Sequence, residues 1–274
     1  MASKVTFIGA GNMASAIIGG MIDTGYPATA ITATSPSDAV LAPVRERFGI
    51  HTDTDNAAAI DDADVVVLAV KPQVMRDVCA GLRDGLQRQR PLVISIAAGL
   101  TAETLDHWLG GGLPLIRCMP NTPSLVGAGA AGLYANAQVS DAQRTLATEL
   151  LEAVGLVEWV DDEALLDAVT AVSGSAPAYF FLMFEAMEEA GVKLGLPADT
   201  ARRLAMQTAF GAARMAMDSD KTPSELKHNV MSPGGTTERA IERLEAAGLR
   251  RALLEAMDAC AARAREMAEE LGKR

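Results

Sequence analysis

The sequence predicts an α/β chain in two parts: a mostly parallel sheet with helices on its faces, then an all-helical region. Three observations carry this. Up to Val160, short β-branched and apolar runs alternate with helical patterns, which marks parallel strands joined by crossover helices. The first of those runs passes through a glycine turn directly into a helix. After Val160 the strand runs stop, and the remainder reads as helix broken by short turns. The fold is read as an N-terminal Rossmann-type dinucleotide-binding domain over residues 1–160. An all-α C-terminal domain over 161–274 follows, and such a domain after a dinucleotide fold often builds both the substrate site and an oligomer interface.

Lys4 to Ile8 is the first strand, and Gly9-Ala10-Gly11-Asn12-Met13-Ala14 follows it, before an apolar helix through Met21. Strand, glycine turn and helix give the G-x-G-x-x-A spacing its meaning. Gly9 permits the tight turn, Gly11 lets backbone approach a pyrophosphate, and Ala14 is small enough for the helix to pack on the strand. Ile8 through Met13 are thus the first cofactor-binding candidates, with the pyrophosphate on the helix N-terminus.

Ala30 to Thr34 is the second strand, and it ends in Thr34-Ser35-Pro36-Ser37 with no acid to hold a ribose 2′-hydroxyl. Ser35 and the next helix N-terminus favour a 2′-phosphate, hence NADPH, with NADH still open. Arg45 and Arg47, further along that helix, read as solvated. A short strand at Ile50 to Thr52 precedes a helix at Ala57 to Ile60, capped within Asp53 to Asn56. Asn56 is either a turn residue or faces the adenosine side.

Asp64 to Val70 is a continuous apolar run, as expected of a strand buried on both faces. It leads into Lys71-Pro72, where Pro72 can open a helix. Ala69, Val70, Lys71 and Pro72 sit at a strand end, where open α/β sheets bind ligands. Pro91 to Ile96 is the next strand, and the small residues Ala97, Ala98 and Gly99 leave room for a nicotinamide ring. Thr101 caps a helix through Leu109. Leu115 to Met119 is a strand stopped by Pro120-Asn121-Thr122-Pro123, an irregular loop on the same strand-end side. Weaker strands at Gly127 to Tyr134 and Gly155 to Val160 enclose a helix at Ser140 to Val154.

The helical half reads as Glu163 to Val172, Phe180 to Leu194, Asp199 to Met217, Ser224 to Val230 and Glu238 to Leu254, with a stripe from Leu249 to Leu271 on the last helix. Phe180, Phe181, Met183 and Phe184 make their helix apolar nearly all round. Such a helix is buried, by its own chain or by a second copy. Between the last patterns lies Met231-Ser232-Pro233-Gly234-Gly235-Thr236-Thr237. Hydroxyls and backbone donors gather there before a helix N-terminus, a ready cradle for a small carboxylate or a plain helix–helix turn.

Composition narrows the function. Formal net charge is −11 and neither half is basic, which disfavours a nucleic-acid or anionic-membrane surface. The three cysteines, Cys79, Cys118 and Cys260, are odd in number and far apart, so a reducing compartment is expected. No histidine joins them in a zinc pattern, and no metal is expected. No apolar run of about eighteen residues or signal-peptide pattern appears, which predicts a soluble cytoplasmic protein.

Several motifs together are similar to the pyrroline-5-carboxylate reductase family. They are Gly9 to Ala14, Ala69 to Pro72, Arg117 to Pro123, Leu166 to Tyr179, Gly191 to Pro197 and Met231 to Thr237, in this order along essentially the whole chain. The chain departs at Ala176, where the family usually has Gly. The resemblance implies NAD(P)H-dependent reduction of Δ1-pyrroline-5-carboxylate to L-proline. It places the substrate carboxylate on Ser232, Gly234, Gly235, Thr236 and Thr237. The Thr237 hydroxyl would meet the ring nitrogen as the catalytic group, Glu163 would be the substrate-side acid, and Asn229 would approach the cofactor. It also implies self-association through the helical domain, as a dimer or a ring of dimers. The rival readings are a related imine or β-hydroxyacid reductase, with Lys193 as its lysine, and a nucleotide-binding regulator without turnover.

Overall fold

A computed structural model describes residues 2–273. Its strands are β1 Val5–Ile8, β2 Ile31–Thr34, β3 His51–Asp53, β4 Val65–Leu68, β5 Leu92–Ser95, β6 Leu115–Met119, β7 Gly129–Ala135 and β8 Gly155–Trp159. They form one sheet in the order β3-β2-β1-β4-β5-β6-β7-β8. Every neighbouring pair is parallel except β6 with β7. The chain builds outward from β1 to β3 and then returns to place β4 on the other side of β1. That reversal opens a crevice at the strands' carboxyl ends.

The helices of this part are α1 Asn12–Asp23, α2 Asp38–Phe48, α3 Asn56–Ala59, α4 Pro72–Gln89, α5 Ala102–Trp108 and α6 Asp141–Glu152. Alternate strand residues feed two cores. Val5, Phe7, Val65, Val67, Leu92 and Ile94 join buried residues of α1, α2 and α6 on one face. Val66, Leu68, Val93 and Leu115 join α4 and α5 on the other. Both faces are covered, which is why these strands read as continuous apolar runs. On α4 the buried stripe is Met75, Cys79, Leu82 and Leu86, all at helical spacing. Truncating Leu86 to Ala there costs about 2–5 kcal/mol.

The remaining helices are α7 Leu165–Val169, α8 Ala176–Lys193, α9 Ala198–Met217, α10 Pro223–Asn229, α11 Thr236–Ala246 and α12 Leu249–Gly272. A π-helical turn, Thr170–Gly174, lies between α7 and α8. Here the structure corrects the sequence reading, which started the second helix at Phe180. The Ser175 N–H bonds back five residues to the Thr170 carbonyl, and Pro177 falls in the first turn of α8, where its missing N–H costs little. A second correction concerns Glu238 to Leu254, which is two helices. Gly248 at φ +82° takes the left-handed conformation that ends the first of them. Thr236 and Thr237 also lie inside the first turn of α11, and the N-cap is Gly235.

The chain divides into two compact units. Residues through Ser175 together with those from Ala259 on form one, and Ala176–Asp258 forms the other. Within the second unit α8 packs on α9, but only Ala176, Ala201 and Ala205 are buried hydrophobics. Phe180, Phe181 and Phe210 stay more than 60% exposed, at 61%, 63% and 63%. Packing on α9 within its own unit does not cover that apolar helix. The continuous helical stretch Leu165–Lys193 is also long and apolar enough, by length and composition, to cross a membrane.

Candidate active site

The dinucleotide candidates converge on the carboxyl ends of neighbouring strands. Gly9 follows β1 at φ +108°, and a Cβ there would stand 2.7 Å from the Ala69 carbonyl oxygen. No other residue fits without moving backbone. The Gly9 N–H donates to the Thr34 carbonyl at 3.1 Å, which ties the turn to β2. Gly11 is different. It is the N-cap of α1, no side chain caps that helix, and a Cβ would meet nothing within 4 Å. Protein packing does not require a glycine there, so the open space suits a group from outside the protein. Ala10 and Ala14 are buried, while Asn12 and Met13 form the first turn, whose N–H groups have no intrahelical partner. These residues fit a pyrophosphate.

Ser35 is only 9% exposed at the end of β2, and its N–H donates to the Asp53 carbonyl at 3.3 Å. Ser37 is the N-cap of α2, again with no side-chain cap. Asp38 opens that helix and is ion-paired with Arg45 at 2.9 Å on the surface. Arg47 lies over the Phe48 ring. Asn56 opens α3, but Asp55 does the capping, accepting from Ala57 and Ala58. The Asn56 side-chain oxygen instead accepts the buried Thr34 hydroxyl at 2.6 Å. Ala69 and Val70 are half-buried beside Gly9, and exposed Lys71 is the N-cap of α4 with Pro72 in its first turn.

Within the first unit a cleft of ≈ 680 Å3 opens beside Ala97. Its lining includes Arg117, Glu163, Asp167 and Arg265. Ala97, expected at the nicotinamide, and Glu163, expected at the substrate, therefore share one cavity. Glu163 Oε1 accepts from the Ala102 N–H and from Arg117 Nη1, each at 2.6 Å. The carboxylate thus sits at the N-terminus of α5, where the helix dipole favours it. Burial holds the Asp167 carboxyl above its ordinary range, against the lowering pull of Arg265 and Arg117. Arg117 escaped the sequence reading as a site residue, although a lone arginine inside the apolar run Leu115–Met119 was a signal for it.

The carboxylate-cradle candidates lie in the second unit. Gly234, at φ +71°, donates its N–H to Glu238 Oε2 at 2.6 Å. Gly235 donates to the Ser232 carbonyl at 2.8 Å and is the N-cap of α11 without any side-chain cap. The first-turn N–H groups of Thr236 and Thr237 are left without intrahelical acceptors. An incoming carboxylate would compete with Glu238 for Gly234 alone. Thr237 is half-buried and Ser232 exposed; Asn229 is the exposed last residue of α10, and Lys193 the exposed last residue of α8.

The comparisons with known proteins extend over the same ground. A family model described as pyrroline-5-carboxylate reductase dimerisation matches residues 163–267. One described as NADP oxidoreductase, coenzyme F420-dependent, matches residues 4–99. The pyrroline-5-carboxylate reductase of Pseudomonas aeruginosa is 52% identical over 98% of this chain and 98% of its own length. This chain belongs to the pyrroline-5-carboxylate reductase family. The Vibrio alginolyticus reductase is 48% identical over 96% of this chain and 97% of its own. The solved reductase of Coxiella burnetii superposes with a TM-score of 0.95 at 46% identity, covering 98% of this chain and 99% of that one. The Plasmodium falciparum reductase, solved with NADP bound, gives 0.84 at 28% identity over 97% and 98%. As a member of the pyrroline-5-carboxylate reductase family the chain is an oxidoreductase with an NADP-binding first domain, and it self-associates through its dimerisation region.

Proposed function

We propose that this chain reduces Δ1-pyrroline-5-carboxylate to L-proline with NADPH, the last step of proline biosynthesis, in the cytoplasm. One observation carries the residue assignment: two helices, α1 and α11, begin behind a glycine N-cap with no side-chain cap. Each offers free N–H donors and a positive dipole end to an anion. The first suits a pyrophosphate and the second the carboxylate of a small substrate.

On this reading Ile8 to Met13, Ser35, Asn56, Ala69 to Pro72, Ala97 and Asn229 hold the dinucleotide. Ser35 and the open N-terminus of α2 take the 2′-phosphate, so NADPH is preferred to NADH. Ser232, Gly234, Gly235, Thr236 and Thr237 hold the carboxylate. When bound, NADPH supplies a hydride. The protein's part is alignment, which lowers the barrier without a covalent intermediate or a metal. The Thr237 hydroxyl meets the ring nitrogen and positions its proton. A threonine hydroxyl is a weak acid, so the proton itself comes from water or from the already protonated imine. Glu163 receives the ring N–H. Residues 161–274 act as the substrate-binding and dimerisation domain, and dimers assemble into a ring. The exposed apolar face of 165–193 is covered by a second copy.

The test is NADPH oxidation with racemic pyrroline-5-carboxylate and direct detection of L-proline. No proline from a folded, NADPH-binding preparation overturns the proposal. Thr237→Ala should lower turnover while leaving NADPH binding intact; loss of both would make the loop structural. A higher kcat/KM with NADH would refute the role given to Ser35.

A further inference from the structure

We propose that Arg117 is a positioning residue for Glu163, pinning one carboxylate oxygen so that the other is free to receive the substrate's ring N–H. This rests on the reading of Glu163 as the substrate-side acid. Arg117 is the third residue of β6, held between Ser95 of β5 and Tyr134 of β7. Its side chain is only 13% exposed, and that of Glu163 24%. A guanidinium that deep in a sheet is costly to desolvate unless its partner is close, and Nη1 stands 2.6 Å from Oε1.

Both bonds to Glu163 fall on the same oxygen. Ala102 N–H and Arg117 Nη1 share Oε1, while among the described residues Oε2 accepts no hydrogen bond. An arginine placed only to neutralise a carboxylate commonly grips both oxygens through its fork. Here a helix N-terminus and a cation fix one oxygen and leave a charged acceptor on the wall of a cavity that also contains Ala97. A pyrroline nitrogen carries an N–H when protonated, and so does the product amine. A fixed carboxylate oxygen is the acceptor such a group needs. Without Arg117 the Glu163 side chain is held only through the Ala102 N–H and gains rotamer freedom, so the acceptor is no longer kept in place.

A double-mutant cycle tests this, using kcat/KM for pyrroline-5-carboxylate, the Kd for NADPH and thermal unfolding of the intact enzyme. Glu163→Gln and Arg117→Gln should each lower kcat/KM about 10–100-fold with NADPH binding near wild type. In the E163Q background, R117Q should cost less than about 2-fold more, because the group it positions is already gone. Arg117→Lys, which keeps the charge, should recover part of the loss and serves as the readout if R117Q does not fold. Additive losses in the cycle, or wild-type kcat/KM in R117Q, overturn the proposal. Wild-type kcat/KM in E163Q refutes the underlying role of Glu163 and removes the basis for the proposal with it.

Discussion

Asn121 Nδ2 donates to the Ser173 carbonyl at 3.0 Å, and its Oδ1 accepts the Ala130 N–H at 2.9 Å. One buried amide thus ties the loop after β6 to the π turn before α8 and to the start of β7. Ser173 belongs to a turn whose carbonyls are out of α-helical register, so an outside donor is needed there. Asn121→Ala leaves the part-buried Ser173 carbonyl and Ala130 N–H without this partner, at a cost of up to about 1 kcal/mol each. The expected result is a lower urea midpoint with an unchanged m value. An unchanged midpoint would show that the π turn does not depend on this tie.

Gly9 and Gly11 belong to one motif but answer to different constraints. At Gly9 a Cβ collides with the Ala69 carbonyl and the backbone is left-handed, so Gly9→Ala should destabilise the fold by more than about 1 kcal/mol and abolish NADPH binding. At Gly11 a Cβ meets no protein atom within 4 Å, so Gly11→Ala should melt like wild type yet bind NADPH at least about 10-fold more weakly. Fluorescence titration and thermal melts on the two variants separate these effects. Equal loss of stability in both would remove the distinction.

Much of the first domain was legible because its signals are local. Continuous apolar runs announced strands buried on both faces, and Asn12 to Met21 showed its helical face directly. What escaped was non-local. The tie from Asn121 to Ser173 joins positions 52 residues apart, and Glu163 meets Arg117 across 46. Neither spacing has a sequence period. The start of α8 at Ala176 is hidden in the sequence because Pro177 reads as a breaker unless a π turn has already shifted the register. In the sequence Thr237 reads as loop because Gly234 and Gly235 look like a turn, and the same glycines serve as the entry to α11.

The cysteines offer a test of burial by pH. Burial pushes the Cys79 thiol up to about 12, with Arg83 pulling weakly the other way, and burial alone pushes Cys118 up to about 12. Their unfolded reference is 9.0. Raised native values mean that the stability held by the neutral thiols is fully present below pH 9 and is lost as pH rises towards 12. Native protein at pH 8 should therefore leave both thiols unmodified by a thiolate-seeking reagent until denaturant is added. Peptide mapping after brief labelling checks this. Prompt modification of Cys118 in the native state would contradict its burial.

The second unit exposes side chains that a single chain does not normally leave in water. Phe181 is 63% exposed and Phe210 63%, on helices that pack against one another. Phe181 also packs at a tilt on Phe184, with ring centroids 6.4 Å apart, so the apolar surface is contiguous along α8. Contiguous apolar surface of this kind marks an interface, whereas an isolated residue such as Val40, 46% exposed on α2, is ordinary surface. Phe210→Glu should place an unpaired charge in the self-association interface and weaken assembly by at least about 2 kcal/mol, a shift of about 30-fold or more in dissociation constant. Val40→Glu should leave assembly unchanged. Sedimentation velocity over a dilution series distinguishes the two, and wild-type association in Phe210→Glu would move the interface off this face of α9.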